Sequence, residues 1–321
     1  MAVTTVTTAP TDETNPTRAT RSSRASRSSV HRPDLGRIIG WAVMILALVI
    51  TLFPFYWMLR TAFSTENQLA AHPESLLPVD FTWGAFARVL GIATPAQAAA
   101  EGGSGASVDF WLYLRNSVIY ATVVTVGQLF FCALASYAFA RLRWPGRNVV
   151  FFVFLTALMV PPIFTSLPNF VLMRDLGLLN SFAALVLPSV LMTPFAIFFL
   201  RQFFLGINKE IEEAAKLDGA GHLRVFFRLI VPMSVAPLST LAILTYINTW
   251  NDYFWPLLVG GTDDSRVLTV ALGVFRSQTP NGSPDWAGLM AATIIAAIPI
   301  LILFFSFGRR IVDSIGFSGV K

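Results

Sequence analysis

Long apolar runs alternate along the chain with short connectors that are polar, charged or rich in glycine. Six runs reach the roughly 20 residues that a membrane-spanning helix needs: 38–59, 117–140, 149–171, 181–203, 232–258 and 287–307. Each is predicted to be one helix. Several contain proline, namely Pro54, Pro161, Pro162, Pro188, Pro194, Pro237 and Pro299. In water these would argue against helices, but in a bundle neighbouring helices can satisfy the freed carbonyls. The connectors 61–116 and 259–286 are long. The first includes the Ala/Gly-rich stretch 91–108, "GIATPAQAAAEGGSGASV", which reads as flexible. The second is punctuated by Gly260, Gly261, Asp263, Asp264, Pro280, Gly282 and Pro284 and reads as turns.

Composition agrees with this pattern. Of 321 residues, 55% are hydrophobic and 13% charged, where a soluble domain carries about 25% charged residues. The chain reads as an all-α membrane protein with about six transmembrane helices. Cys132 is the single cysteine, so no internal disulfide is possible, and His31, His72 and His222 are scattered. No metal site, cofactor or nucleic-acid contact is expected.

Residues 1–36 differ in kind: Ser, Thr and Arg dominate and large apolar residues are nearly absent. Such a tail cannot bury enough surface to fold alone. It reads as a solvated segment that sets orientation, an organellar transit peptide or a contact for anionic lipid. The apolar run behind it is too long for a secretory signal. Residues 37–321 form the transmembrane domain.

Charge sets the orientation. With the tail inside, 17 of the 23 Lys and Arg lie on the inner side and six outside, with the same bias at each loop. Both termini, and residues 208–232, are then cytoplasmic.

That inner segment reads clearly as local structure. Asn208 is a good helix N-cap, and Glu210, Glu212 and Glu213 suit the first turns. Gly219 and Gly221 end the helix, because glycine takes the left-handed geometry without strain. Leu223, Phe226, Phe227 and Ile230 open a second apolar face that leads to Pro232. Ile211, Ala214, Ala215 and Gly219 give the short helix a face of small residues. By itself this could be an ordinary connector.

The spacing also carries a resemblance. Glu213-Ala214-Ala215, three residues, Gly219, nine residues and Leu229-Ile230-Val231-Pro232 resembles the signature of ABC-importer permease subunits, E-A-A, three residues, G, nine residues, I-x-L-P. Leu229 and Val231 replace the usual Ile and Leu. Residues 116–147, 176–188 and 249–258 look like the carbohydrate, maltose-type branch, and the likeness covers about 37–321. The tail and the 91–108 insert fall outside it.

The resemblance implies a type I ABC-importer permease fold in a bacterial inner membrane. It implies a coupling helix near 208–221, where Glu213, Ala214, Ala215, Asp218, Gly219 and Ala220 meet a cytoplasmic ATPase subunit. It further implies a pair of ATPase subunits, a second homologous permease, an extracytoplasmic sugar-binding protein and a carbohydrate solute, a di- or oligosaccharide or related glycoside. No G-x-x-x-x-G-K-[ST] occurs, so no phosphate-cradling loop is expected in this chain. The C-terminal "FGRRIVDSIGFSGVK" is similar to the family's cytoplasmic tail, although Arg309 and Arg310 equally suit inner-face anchors.

Two other readings stand beside this one. An ion-coupled secondary transporter would be expected to carry charged or broken-helix sites at mid-membrane. A non-transport assembly factor or intramembrane enzyme would need a motif such as H-E-x-x-H or G-x-S-x-G, and neither occurs.

For the solute path, Thr245, Asn248, Asn251, Asp252 and Trp255 recur at helical spacing and should share one face of the fifth span. Amides and a carboxylate can bond sugar hydroxyls, and an indole can stack on a sugar ring. Residues of these types also join helices to each other in membranes.

Overall fold

The computed structural model describes residues 35–104, 108–273, 275 and 284–316. The chain divides into two units, residues 1–52 and 53–321. Most of the basic tail lies outside the described residues. So do residues 317–321 and the side chains of 307–316.

No strand occurs among the described residues. Helix α1 covers Leu35–Ala62. In the second unit, the first long connector folds into three short helices, α2 (Glu66–Ala71), α3 (Gly84–Val89) and α4 (Pro95–Ala100). Helix α4 lies inside the stretch expected to be flexible. Thr94 closes a capping box with Gln97, and Pro95 supplies the preset φ of a first helical residue, so six Ala-rich residues suffice.

Helix α5 (Phe110–Arg141) is the central element. It starts earlier than expected because the Asp109 side chain accepts from Leu112 N at 3.1 Å. Its 32 residues run about 48 Å and contribute to three apolar clusters. Phe110, Tyr113 and Ala121 pack with the first connector and the last helix. Tyr120 and Val124 pack with Ala184, Leu185 and Val259. Cys132, Tyr137 and Phe139 pack with Ile197, Phe204 and Phe226.

Three expected spans are broken. Residues 149–171 form α6 (Arg147–Thr156), a 3-10 turn and α7 (Pro162–Asp175), bent by 101°. Pro161 precedes another proline, which disfavours the helical region for it, and it sits extended at φ −61°, ψ 135°. Residues 181–203 form α8 (Phe182–Val190) and α9 (Pro194–Gly206), bent by 42°. After α10 (Lys209–Leu217) come α11 (His222–Val225), a π turn at Phe226–Ile230 and a last turn at Val231–Met233. The chain then bends by 79° into α12 (Val235–Trp250). Helix α12 stops eight residues short of the expected end, and α13 (Phe254–Val259) and α14 (Leu268–Leu272) follow. Helix α15 (Trp286–Gly316) is the last element among the described residues. Among the described residues three helices are long and apolar enough to cross a membrane alone, and six spans result if each bent pair counts as one.

Helix α5 supports the broken pair beside it. Gln128 Nε2 donates to Ser189 O at 2.6 Å, and Cys132 Sγ accepts from Thr193 N at 3.4 Å. Both take up backbone groups at the gap between α8 and α9. The close approach needs Gly127, where a Cβ would lie 2.3 Å from Val190 Cγ2 and 2.8 Å from its carbonyl oxygen.

A buried polar network joins the first connector to the start of α15. Arg88 contacts Glu101 at 2.7 Å and Asp285 at 3.1 Å. Asp285 also accepts from Gly288 N, and Glu66 accepts from Ala287 N at 2.9 Å. Two carboxylates thus satisfy the first N–H groups of α15. Burial pushes the Glu66 carboxyl above its ordinary value, opposed by the bond from Ala287.

Candidate functional site

Helix α10 forms as its sequence dictates. The Asn208 side chain accepts from Glu210 N at 3.1 Å, and Glu210 and Glu212 stand in the first turn. At the other end Gly219 has φ +81°. Ala220 N bonds Ala215 O at 2.9 Å and Gly219 N bonds Lys216 O at 3.0 Å. These two bonds complete a Schellman motif, and Ala215 and Ala220 pack together on the inner cluster.

The helix has two unlike faces. Glu212 is buried, and Ala215 and Ala220 are half-buried. Glu213, Ala214, Asp218 and Gly219 are exposed, and Leu217 is 90% exposed. The small-residue face is divided: Ala214 and Gly219 face outward, and Ala215 faces the protein.

Sequence reasoning missed the group that fixes α10. Arg141, the last residue of α5, places Nε 2.7 Å from Glu212 Oε1, with side chains 3% and 5% exposed. Arg141 Nη2 also donates to Ile207 O at 2.6 Å, just before α10. Both side chains were visible as inner-side charges, but nothing local pairs residues 71 positions apart.

The five residues expected to share a face of one helix do not. Thr245 and Asn248 lie on α12, the first buried and the second exposed. Asn251 caps its C-terminus, exposed, with Nδ2 bonded to Ile247 O at 2.8 Å. Asp252 lies past the helix, accepts from Tyr120 Oη at 3.1 Å and caps α13 through Trp255 N at 3.4 Å. The Trp255 indole N–H donates to Ala184 O at 3.1 Å. That carbonyl is free because Pro188, four residues on, has no N–H to offer it. Asn248 and Asn251 therefore remain open for contact, while Asp252 and Trp255 are bonded to neighbouring helices. Among the described residues no three His, Cys, Asp or Glu side chains converge on a metal position.

Residues 105–316 match the family described as binding-protein-dependent transport system inner membrane component. The arabinooligosaccharides transport system permease protein AraQ of Halalkalibacterium halodurans is 36% identical over 66% of this chain and 75% of its own. The sn-glycerol-3-phosphate transport system permease protein UgpE of Yersinia pestis is 32% identical over 85% of this chain and 94% of its own. The probable ABC transporter permease protein YurM of Bacillus subtilis is 32% identical over 89% of each. In fold, the chain is similar to part of a bacterial ABC transporter involved in the import of the acidic polysaccharide alginate. The TM-score is 0.69 at 23% identity, covering 86% of this chain and 96% of that one.

Proposed function

The chain belongs to the family of binding-protein-dependent transport inner membrane components, and on that premise we propose that it forms half of a carbohydrate path and is driven through α10. The solute is a carbohydrate of the di- or oligosaccharide class or a related glycoside, in keeping with the relative named for arabinooligosaccharide transport. A second permease supplies the other half, a separate ATPase pair supplies the energy, and an extracytoplasmic binding protein delivers the solute. Both termini and α10 face the cytoplasm. Transport-system relatives disfavour an ion-driven carrier or an assembly factor.

The observation that carries the coupling role is the two-faced build of α10. Its outer surface, Glu213, Ala214, Leu217 and Asp218, is open to a partner. Its inner surface is tied by Arg141–Glu212 to the end of α5, which runs through all three clusters. A push on α10 reaches a whole span as a rigid displacement. The sequence contains no G-x-x-x-x-G-K-[ST], in keeping with hydrolysis by a partner subunit.

Gly219→Glu tests the role. A Cβ at Gly219 meets nothing within 4 Å in this chain. A bulky charge there obstructs a docking partner without meeting a neighbour, and the strain of a side chain at φ +81° is read separately from Gly219→Asn. Expected are a normally inserted protein, loss of uptake and loss of ATPase stimulation by the loaded binding protein. Wild-type stimulation in that variant would refute the role. If Gly219 only ends a helix, Gly219→Asn should keep full activity.

A further inference from the structure

Beside α10 the chain forms an open cleft of about 1140 Å³, walled by the turn between α5 and α6, the start of α6 and α10. Arg141 and Glu212 offset each other in its wall. Arg143, Arg147, Lys209 and Lys216 then face Glu213 alone. None of these four cations has an ion-pair partner among the described residues.

The start of α6 adds to this field. Its N-cap is Gly146, at φ +80°, and no side chain caps its first turn. Gly146, Arg147, Asn148 and Val149 line the cleft. Arg147 N bonds Trp144 O at 3.5 Å, while the N–H groups of Asn148 and Val149, at the positive end of a ten-residue helix, have no side-chain cap and lie at the same space. Arg141 Nη1, buried in the wall, has no hydrogen-bond partner.

We propose that this cleft binds the phosphate of an anionic phospholipid headgroup from the leaflet at this end of α5. Three observations select a lipid. The cleft lies at the turn between α5 and α6, where one segment apolar enough to span a membrane ends and the next begins, and such turns approach the headgroup level. Trp144 lines it, a residue type that settles at that level. Its volume is at the upper end for a small-molecule site and far exceeds what a phosphate ion fills. A lipid held there would brace the α5–α6 turn against α10. The assignment to the inner leaflet rests on the orientation proposed above.

The test uses the assembled importer purified in mild detergent and equilibrated with equal amounts of phosphatidylglycerol and phosphatidylcholine. Retained lipid is measured by mass spectrometry. The wild type should be enriched in phosphatidylglycerol. Arg143→Gln with Lys209→Gln should reduce that enrichment by about fivefold per charge removed, and Arg143→Lys with Lys209→Arg should preserve it. Unchanged enrichment in the Gln variant overturns the site. Displacement of the lipid by excess inorganic phosphate would assign the cleft to free phosphate and overturn the lipid source. Loss of the ATPase subunit at unchanged lipid enrichment would make the cleft a protein contact and overturn it also. Gly219→Glu should retain the lipid fully, so failure of the coupling role is read separately.

Discussion

Arg141 Nε lies 2.7 Å from Glu212 Oε1 with both side chains buried, and this contact fastens α10 to the end of α5. The two atoms are in contact but not aligned as a hydrogen bond, and neither has another partner. Opposite charge at short range in a poorly hydrated place holds them. Glu212→Gln leaves the Arg141 charge buried and should cost about 3–5 kcal/mol. Arg141→Met with Glu212→Leu should recover most of that loss in thermal unfolding of the detergent-solubilised chain. A double variant no more stable than Glu212→Gln would show that the loss does not come from the unpaired Arg141 charge.

Topology follows from the charge bias. Leu217 is 90% exposed and suits labelling. In a Cys132→Ala background, Leu217→Cys should react with an impermeant thiol reagent only after the membrane is opened. Leu77→Cys, on the first connector, should react from outside. Reversed labelling would overturn the orientation.

Glu66 makes the first connector sensitive to pH. Its carboxyl is raised above 4.5 chiefly by burial, so the folded form binds the proton more tightly than the unfolded chain does. The associated stability is full below about 4.5 and is lost as pH rises through the folded value. Glu66→Gln, whose amide oxygen can still accept from Ala287 N, should flatten this dependence. Hydrogen exchange at the start of α15, followed across mildly acid to neutral pH, reads the difference. Equal slopes in wild type and variant would remove Glu66 as the source.

The candidate path residues should separate into two groups. Asn248→Ala and Asn251→Ala, both at exposed positions, should lower uptake or alter sugar preference with assembly intact. Trp255→Phe leaves Ala184 O without its donor and should cost about 1–3 kcal/mol of stability with sugar preference unchanged. Uptake assays with a sugar panel, beside thermal unfolding, distinguish them. A changed preference in Trp255→Phe would return the indole to the path.

The sequence by itself determined the helical class, the approximate positions of the apolar segments, the charge asymmetry and both ends of α10. Caps and the Schellman turn depend on neighbours two to five residues away, so Asn208 and Gly219 declare them directly. It did not determine which prolines break a span. Pro161–Pro162 breaks one, where a proline disfavours helix for the residue before it and Pro161 sits extended, yet Pro188 stays inside α8. The carbonyl that Pro188 leaves free meets the indole of Trp255, 71 positions beyond Ala184, and only packing brings the two together. The same holds for Arg141 with Glu212 and for Arg88 with Asp285. Charged groups buried by tertiary contact must find partners wherever the fold places them, and no periodicity along the chain encodes that distance.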